Sequence, residues 1–160
     1  MKPEIVKLLS KNARYTAKQI AQMTGRDEQS VKDEIALYEK EGILRGYKAV
    51  VDWEKMDGAY VSAIVELTVI PKADLGFEEV ASKVASYEQV ESVYLMSGSY
   101  DLNVVVKGKT LQDVANFVAK ELATLESVTG TSTHFVMRRY KEFDTILCEN
   151  EDDEREKYLL

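Results

Sequence analysis

Two β-rich runs set close together, Val93–Met96 and Leu102–Val106, do most to limit what this chain can become. Ser97, Gly98, Ser99, Tyr100 and Asp101 lie between them. Strand-forming runs separated by small residues, a glycine and an aspartate fold back on each other as an antiparallel pair. The same turn carries chemistry. Gly98 lets the backbone approach a guest, Ser99 and free N–H groups can donate, and Asp101 can hold an ammonium. An ordinary hairpin would use the same residue types, so the flanking segments decide what the pair belongs to.

Upstream, Ala59–Val69 alternates strictly, with Val61, Ala63, Val65, Leu67 and Val69 on one face, and Pro71 ends that strand. Phe77, Val80, Ala81, Val84 and Ala85 then recur at helical spacing. Downstream, Thr110 caps a second helix whose stripe is Leu111, Val114, Ala115, Val118, Leu122 and Leu125. Thr133–Tyr140 is the last strand. The order β-α-β-β-α-β is the split-βαβ, ferredoxin-like arrangement, with both helices on one face of a four-stranded sheet. The other face collects Ile64, Tyr94, Met96, Val105 and Val136. Such a patch marks an interface, and a two-fold dimer packing sheet on sheet is the simplest way to cover it.

The first fifty residues follow another rule. Pro3 suits the first turn of a helix with an Ile5, Val6, Leu8, Leu9 stripe. Thr16 and Gln19 form a capping box for a second helix buried through Ala17, Ile20 and Ala21, and Gly25 ends it. Asp27 caps a third, with Val31, Ile35 and Tyr38 inside and Gly42 closing it. Three short helices with a tight turn before the third fit either a generic bundle or a helix-turn-helix unit. In the second case the third helix enters the major groove. Gln29, Ser30, Lys32 and Asp33 are then its readers, and Thr16, Lys18 and Arg26 stand where phosphate contacts arise. Glu28, Asp33 and Glu34 lie on the same helix and are repelled by phosphate unless paired or turned away. Ile43–Trp53 reads as one or two short strands, with Trp53 packing rather than binding.

These patterns divide the 160 residues into a helix-turn-helix domain (1–45), a connecting strand or linker (46–58), a ferredoxin-like domain (59–143) and an acidic tail (144–160). The formal net charge is −7, yet residues 1–50 carry ten Lys/Arg against seven Asp/Glu. An anionic partner is therefore expected at that end. The absence of a long apolar run or signal-like start, with Cys148 as the one cysteine, leads us to expect a cytoplasmic protein without membrane contact or disulfide. His134 and Cys148 stand alone, and no spacing suggests a metal, a phosphate loop or a triad, so neither cofactor nor catalysis is expected.

The element order, together with Glu41-Gly42-Ile43-Leu44-Arg45-Gly46-Tyr47, Gly98-Ser99-Tyr100-Asp101 and Thr131-Ser132-Thr133, resembles the Lrp/AsnC (feast/famine) family of transcription regulators from Ile5 to Lys141. The resemblance implies an α+β protein with an N-terminal DNA-binding domain and a C-terminal effector-binding, oligomerising (RAM-type) domain. It also implies homodimers that assemble into octamers, double-stranded DNA as partner, and an amino-acid-like effector bound between subunits. By that likeness Gly98, Ser99, Tyr100 and Asp101 line the effector pocket, with Asp101 on the ammonium and Thr131 and Thr133 of a neighbouring subunit on the carboxylate or backbone. The chain departs from the family at Asp33 and Glu34, where arginine is usual. That departure supports an alternative, an oligomeric amino-acid-binding module with weak or lost DNA affinity that acts through protein partners. The acidic run Glu149–Glu156 is a solvated extension or a short helix docking Tyr158, Leu159 and Leu160 on a neighbour.

Overall fold

The computed structural model describes residues 4–56, 58–71 and 76–147. The expectations for Pro3, Cys148 and the tail beyond it, including Tyr158, Leu159 and Leu160, lie outside them. The chain divides into two compact units, one running to Val51 and one starting at Asp52.

The first unit holds α1 (Glu4–Lys11), α2 (Ala17–Thr24) and α3 (Glu28–Lys40). Local chemistry sets each boundary. The Thr16 hydroxyl accepts from Gln19 N–H while the Gln19 side chain reaches back to Thr16, so both ends of the capping box are made. Gly25 adopts a left-handed φ of 66° where α2 ends. The Asp27 carboxylate takes the Ser30 N–H at the start of α3. Ile5, Leu9, Ile20, Ala21, Val31 and Tyr38 form the core, with Ile35 half-buried against it.

In the second unit, β1 (Val61–Val69), β2 (Val90–Leu95), β3 (Leu102–Gly108) and β4 (Val128–Phe135) form an antiparallel sheet in the order β2-β3-β1-β4. The helices are α4 (Glu78–Ala85) and α5 (Leu111–Phe117), the latter continuing into a π turn at Val118–Leu122 closed by an Ala123 N–H bond to the Val118 carbonyl. Ala63, Val65 and Leu67 of β1 pack with Val104, Val84, Val114, Phe117 and Leu122 in one core.

Several expectations need correction. No strand forms within 43–53; a 3₁₀ turn follows at Trp53–Lys55, and a strand needs a neighbour that this stretch does not find among the described residues. Trp53 does pack, its ring 5.3 Å from Tyr60. The last strand is Val128–Phe135 rather than Thr133–Tyr140, so Thr131-Ser132-Thr133 lie within it. Leu111 and Ala115 face solvent, as does Ala85, while Phe117 takes the buried place in α5. An extra hairpin, β5 (Lys141–Glu142) and β6 (Thr145–Ile146), turns at Phe143 and Asp144, both at positive φ.

Candidate functional site

The charges on α3 are arranged differently from how a list of residues suggests. Glu34 Oε2 meets Arg26 Nη2 at 2.5 Å, and Glu34 Oε1 accepts the Tyr38 hydroxyl at 2.5 Å. The hydrogen bond from Arg26, then that from Tyr38, holds the Glu34 carboxyl below its usual range. The same contacts raise the Arg26 guanidinium and the Tyr38 phenol. Arg26 also donates to Ser30 Oγ at 3.2 Å. A phosphate would therefore have to compete with Glu34 for Arg26, and Ser30 already has a partner.

Glu28 is bridged one turn on by Lys32 at 2.6 Å, which lowers its carboxyl pKa. Asp33 differs. Its Oδ1 accepts from Gln29 Nε2 at 2.8 Å, and among the described residues it meets no cation. Gln29, Lys32 and Asp33 are exposed along one side of α3, and Lys18 is exposed on α2. Thr16 is occupied as the cap of α2, its hydroxyl 3.2 Å from Gln19 N. Of the seven residues expected at the DNA surface, four thus face outward and three serve the unit's own architecture. Sequence reading overlooked Glu34 as a clamp, although its i,i+4 spacing to Tyr38 was in view.

In the second unit the turn at 96–101 closes through Met96 N–H on the Asp101 carbonyl at 2.7 Å. Asp101 ties this turn to β1: its N–H reaches the Leu67 carbonyl at 3.0 Å, and its Oδ2 accepts the Val69 N–H at 2.7 Å. One carboxylate oxygen is thus engaged in the fold, leaving Oδ1. The Tyr100 hydroxyl is anchored by Asn103 Nδ2 at 3.2 Å, a contact not foreseen from the sequence. Gly98 and Ser99 are exposed. Pairing sets Leu95, Leu102, Leu67 and Thr131 in one row across the sheet, so Thr131 lies at the same end as the turn, with Thr133 two residues further along β4. On the face away from the helices, Ile64, Tyr94 and Met96 are 37%, 54% and 40% exposed.

A family model for the Lrp/AsnC ligand binding domain matches residues 62–146. The helix-turn-helix-type transcriptional regulator YugG of Bacillus subtilis is 43% identical over 153 residues, covering 95% of this chain and 92% of that protein. The chain belongs to the Lrp/AsnC family. Another relative, the helix-turn-helix-type transcriptional regulator FL11 of Pyrococcus furiosus, is 30% identical over 139 residues, covering 87% of this chain and 89% of its own length. The fold matches that of the transcriptional regulator NMB0573 from Neisseria meningitidis, solved with L-Met, at a TM-score of 0.69 and 20% identity, over 87% of this chain and 89% of that one. This Lrp/AsnC chain is accordingly a transcription regulator of the helix-turn-helix type. Among its described residues, no helix is long and apolar enough to cross a membrane.

Proposed function

We propose that this Lrp/AsnC regulator binds duplex DNA through the outward side of α3, with an amino-acid-like effector between subunits modulating that binding. The observation that supports it most is the charge arrangement on α3. Glu28 and Glu34 are each held by a cation, so the helix meets DNA with Gln29, Asp33 and a Lys32 already paired with Glu28 rather than with three open carboxylates. Lys18 adds a phosphate contact from α2, and Thr16, Ser30 and Arg26 support the geometry from behind.

The effector reading rests on the turn. Asp101 Oδ1 is available to an α-ammonium, the exposed backbone at Gly98 and Ser99 to polar groups, and Tyr100 to a side chain, while Thr131 and Thr133 of a neighbouring copy meet the carboxylate. NMB0573 with L-Met is a precedent of the same fold. Homodimers form by packing the Ile64, Tyr94, Met96 face on a second copy and assemble further into octamers, and a two-fold pair of helix-turn-helix units suits half-sites about 34 Å apart, one duplex turn. The protein acts in the cytoplasm, without catalysis or a resident cofactor. Effector binding favours one assembly geometry, and a coupling of about 1–3 kcal/mol is enough to change operator occupancy several-fold.

The test is an anisotropy titration against the DNA upstream of the protein's own gene, at low and moderate salt, with and without the twenty amino acids. Specific binding that the amino acids alter is expected. Absence of specific binding at both salts would refute this reading and favour the protein-partner alternative.

A further inference from the structure

The Gln29–Asp33 contact does not fit a helix that merely tolerates its acids. Asp27 is used by the Ser30 N–H, Glu28 by Lys32 and Glu34 by Arg26 and Tyr38. Asp33 is left exposed, with the neutral Gln29 amide on its Oδ1. An unneutralised carboxylate on the groove-facing side works against binding to every DNA sequence. It becomes useful only where a base presents a donor.

We propose that Gln29 and Asp33 act as one reading unit that selects an adenine and, one or two base pairs further on, a cytosine. The inference rests on the DNA-binding reading above. By donating one Nε2–H to Asp33 Oδ1 at 2.8 Å, Gln29 has its carboxamide oriented before DNA arrives. The second Nε2–H and Oε1 remain, and that donor–acceptor fork matches adenine N7 and N6–H₂. Asp33 keeps Oδ2, which can only accept. In the major groove guanine N7 and O6 and thymine O4 repel it, and the adenine amino group lies beside an N7 acceptor. Cytosine N4–H₂ alone offers a donor without an adjacent acceptor on the same base. Residues four apart on a helix are about 6 Å apart along its axis. Base pairs rise about 3.4 Å, which gives the spacing of one to two steps. Asp33 is therefore both a reader and the positioning residue for Gln29.

The experiment is selection from a randomised duplex library with the full chain, comparing wild type, Asp33→Ala, Asp33→Asn and Gln29→Ala, each checked by thermal melting. Wild type should show an adenine and a cytosine column at the stated spacing in each half-site. Gln29→Ala should flatten only the adenine column. Asp33→Ala should flatten the cytosine column and weaken the adenine one, because Gln29 loses its anchor. Asp33→Asn, which can both donate and accept, should admit other bases at the cytosine position. The preference for cytosine over the next best base should be roughly 5- to 150-fold in wild type and near unity in Asp33→Ala. A wild-type motif that Asp33→Ala leaves unchanged, or one with guanine in that column, overturns the inference while the DNA-binding reading stands. A wild type that selects no motif overturns both.

Discussion

Replacing Glu34 by alanine should destabilise the first unit, although counting charges would suggest relief. Sequence alone presents Glu34 as one more acid on a DNA-facing helix, whose loss should only help. The structure gives it two partners: Arg26 at 2.5 Å, and the hydroxyl of Tyr38, a core residue only 2% exposed. The Arg26 contact lies where water can replace the carboxylate, so we assign it no stabilisation. What counts is the Tyr38 bond. A hydrogen bond to a charged group contributes about 1.5–3 kcal/mol when protected. The Glu34 side chain is 19% exposed, and discounting for that leaves about 1–2 kcal/mol. For a small domain this lowers Tm by about 5–15 °C. Circular dichroism melting at pH 7 reads it directly. Asp33→Ala, on the same helix, should stay within about 0.5 kcal/mol of wild type because Asp33 supports nothing buried.

The pH dependence separates the clamp from a generic helix effect. The folded-state carboxyl of Glu34 is held below its ordinary value, first by Arg26 and then by Tyr38. Its stabilisation is thus fully present above the unfolded carboxyl pKa of about 4.3 and lost as pH falls through the lower folded value. The Tm gap between wild type and Glu34→Ala should be constant from about pH 6 to 8 and close below about pH 4. The raised Tyr38 phenol adds no pH dependence in that window, since its preference for the neutral form is fully present there and fades only above its ordinary value of about 10. A Glu34→Ala variant melting within about 2 °C of wild type at pH 7, or a gap unchanged at pH 3, would refute the clamp.

Three further outcomes are expected. Asp101→Asn should abolish the amino-acid response while keeping an acceptor for Val69 N–H, whereas Asp101→Ala should lose the response and also about 1 kcal/mol of stability. Anisotropy with amino acids and a thermal melt separate the two, and a responsive Asp101→Asn would place the effector elsewhere. Gly108→Ala should destabilise the second unit by about 1–3 kcal/mol, because its Cβ would lie 2.8 Å from Val114 Cγ2 and 3.3 Å from the Val114 N; a melt unchanged from wild type would contradict that close approach. Ile64→Glu, on the exposed sheet face, should lower the mass measured by light scattering to that of one chain; an unchanged assembly would mean that copies meet through another surface.

The ferredoxin-like order was readable because its signals are short-range. Period-two alternation marked β1, Thr16 formed the capping box expected with Gln19, and Thr110, expected as a cap, forms a box with Asp113. Failures came where structure depends on partners distant in sequence or on a choice of phase. Ile43–Trp53 has strand-like residues without a strand to pair with among the described residues. The threonine-rich Val128–Phe135 is an edge strand, paired only with β1, and so lacks the continuous apolar run that would have marked it. In α5, apolar residues at 111, 114, 115, 117, 118 and 122 permit two helical phases, and the one adopted buries Val114 and Phe117, with Val118 and Leu122 buried in the π turn that follows. The hairpin at Phe143–Asp144 lacks the Asn-Gly signal usual for a two-residue turn at positive φ.

The candidate DNA surface shows the same limit in charge rather than in shape. Asp33 and Glu34 are neighbours with the same formal charge, and composition cannot tell them apart. A helix advances about 100° per residue, so adjacent side chains point to different surroundings. Glu34 turns to Arg26, eight residues back across the α2–α3 turn, and to Tyr38 in the core, while Asp33 stays out beside Gln29. The departure from the family's arginines is therefore two different changes. One acid exchanges a possible DNA contact for a clamp that fixes the reading helix. On the proposed reading the other remains where it can discriminate among bases, at a cost in affinity that Lys18 offsets only in part. A regulator built this way should bind DNA less tightly than an arginine-bearing one and depend more on the base sequence it meets.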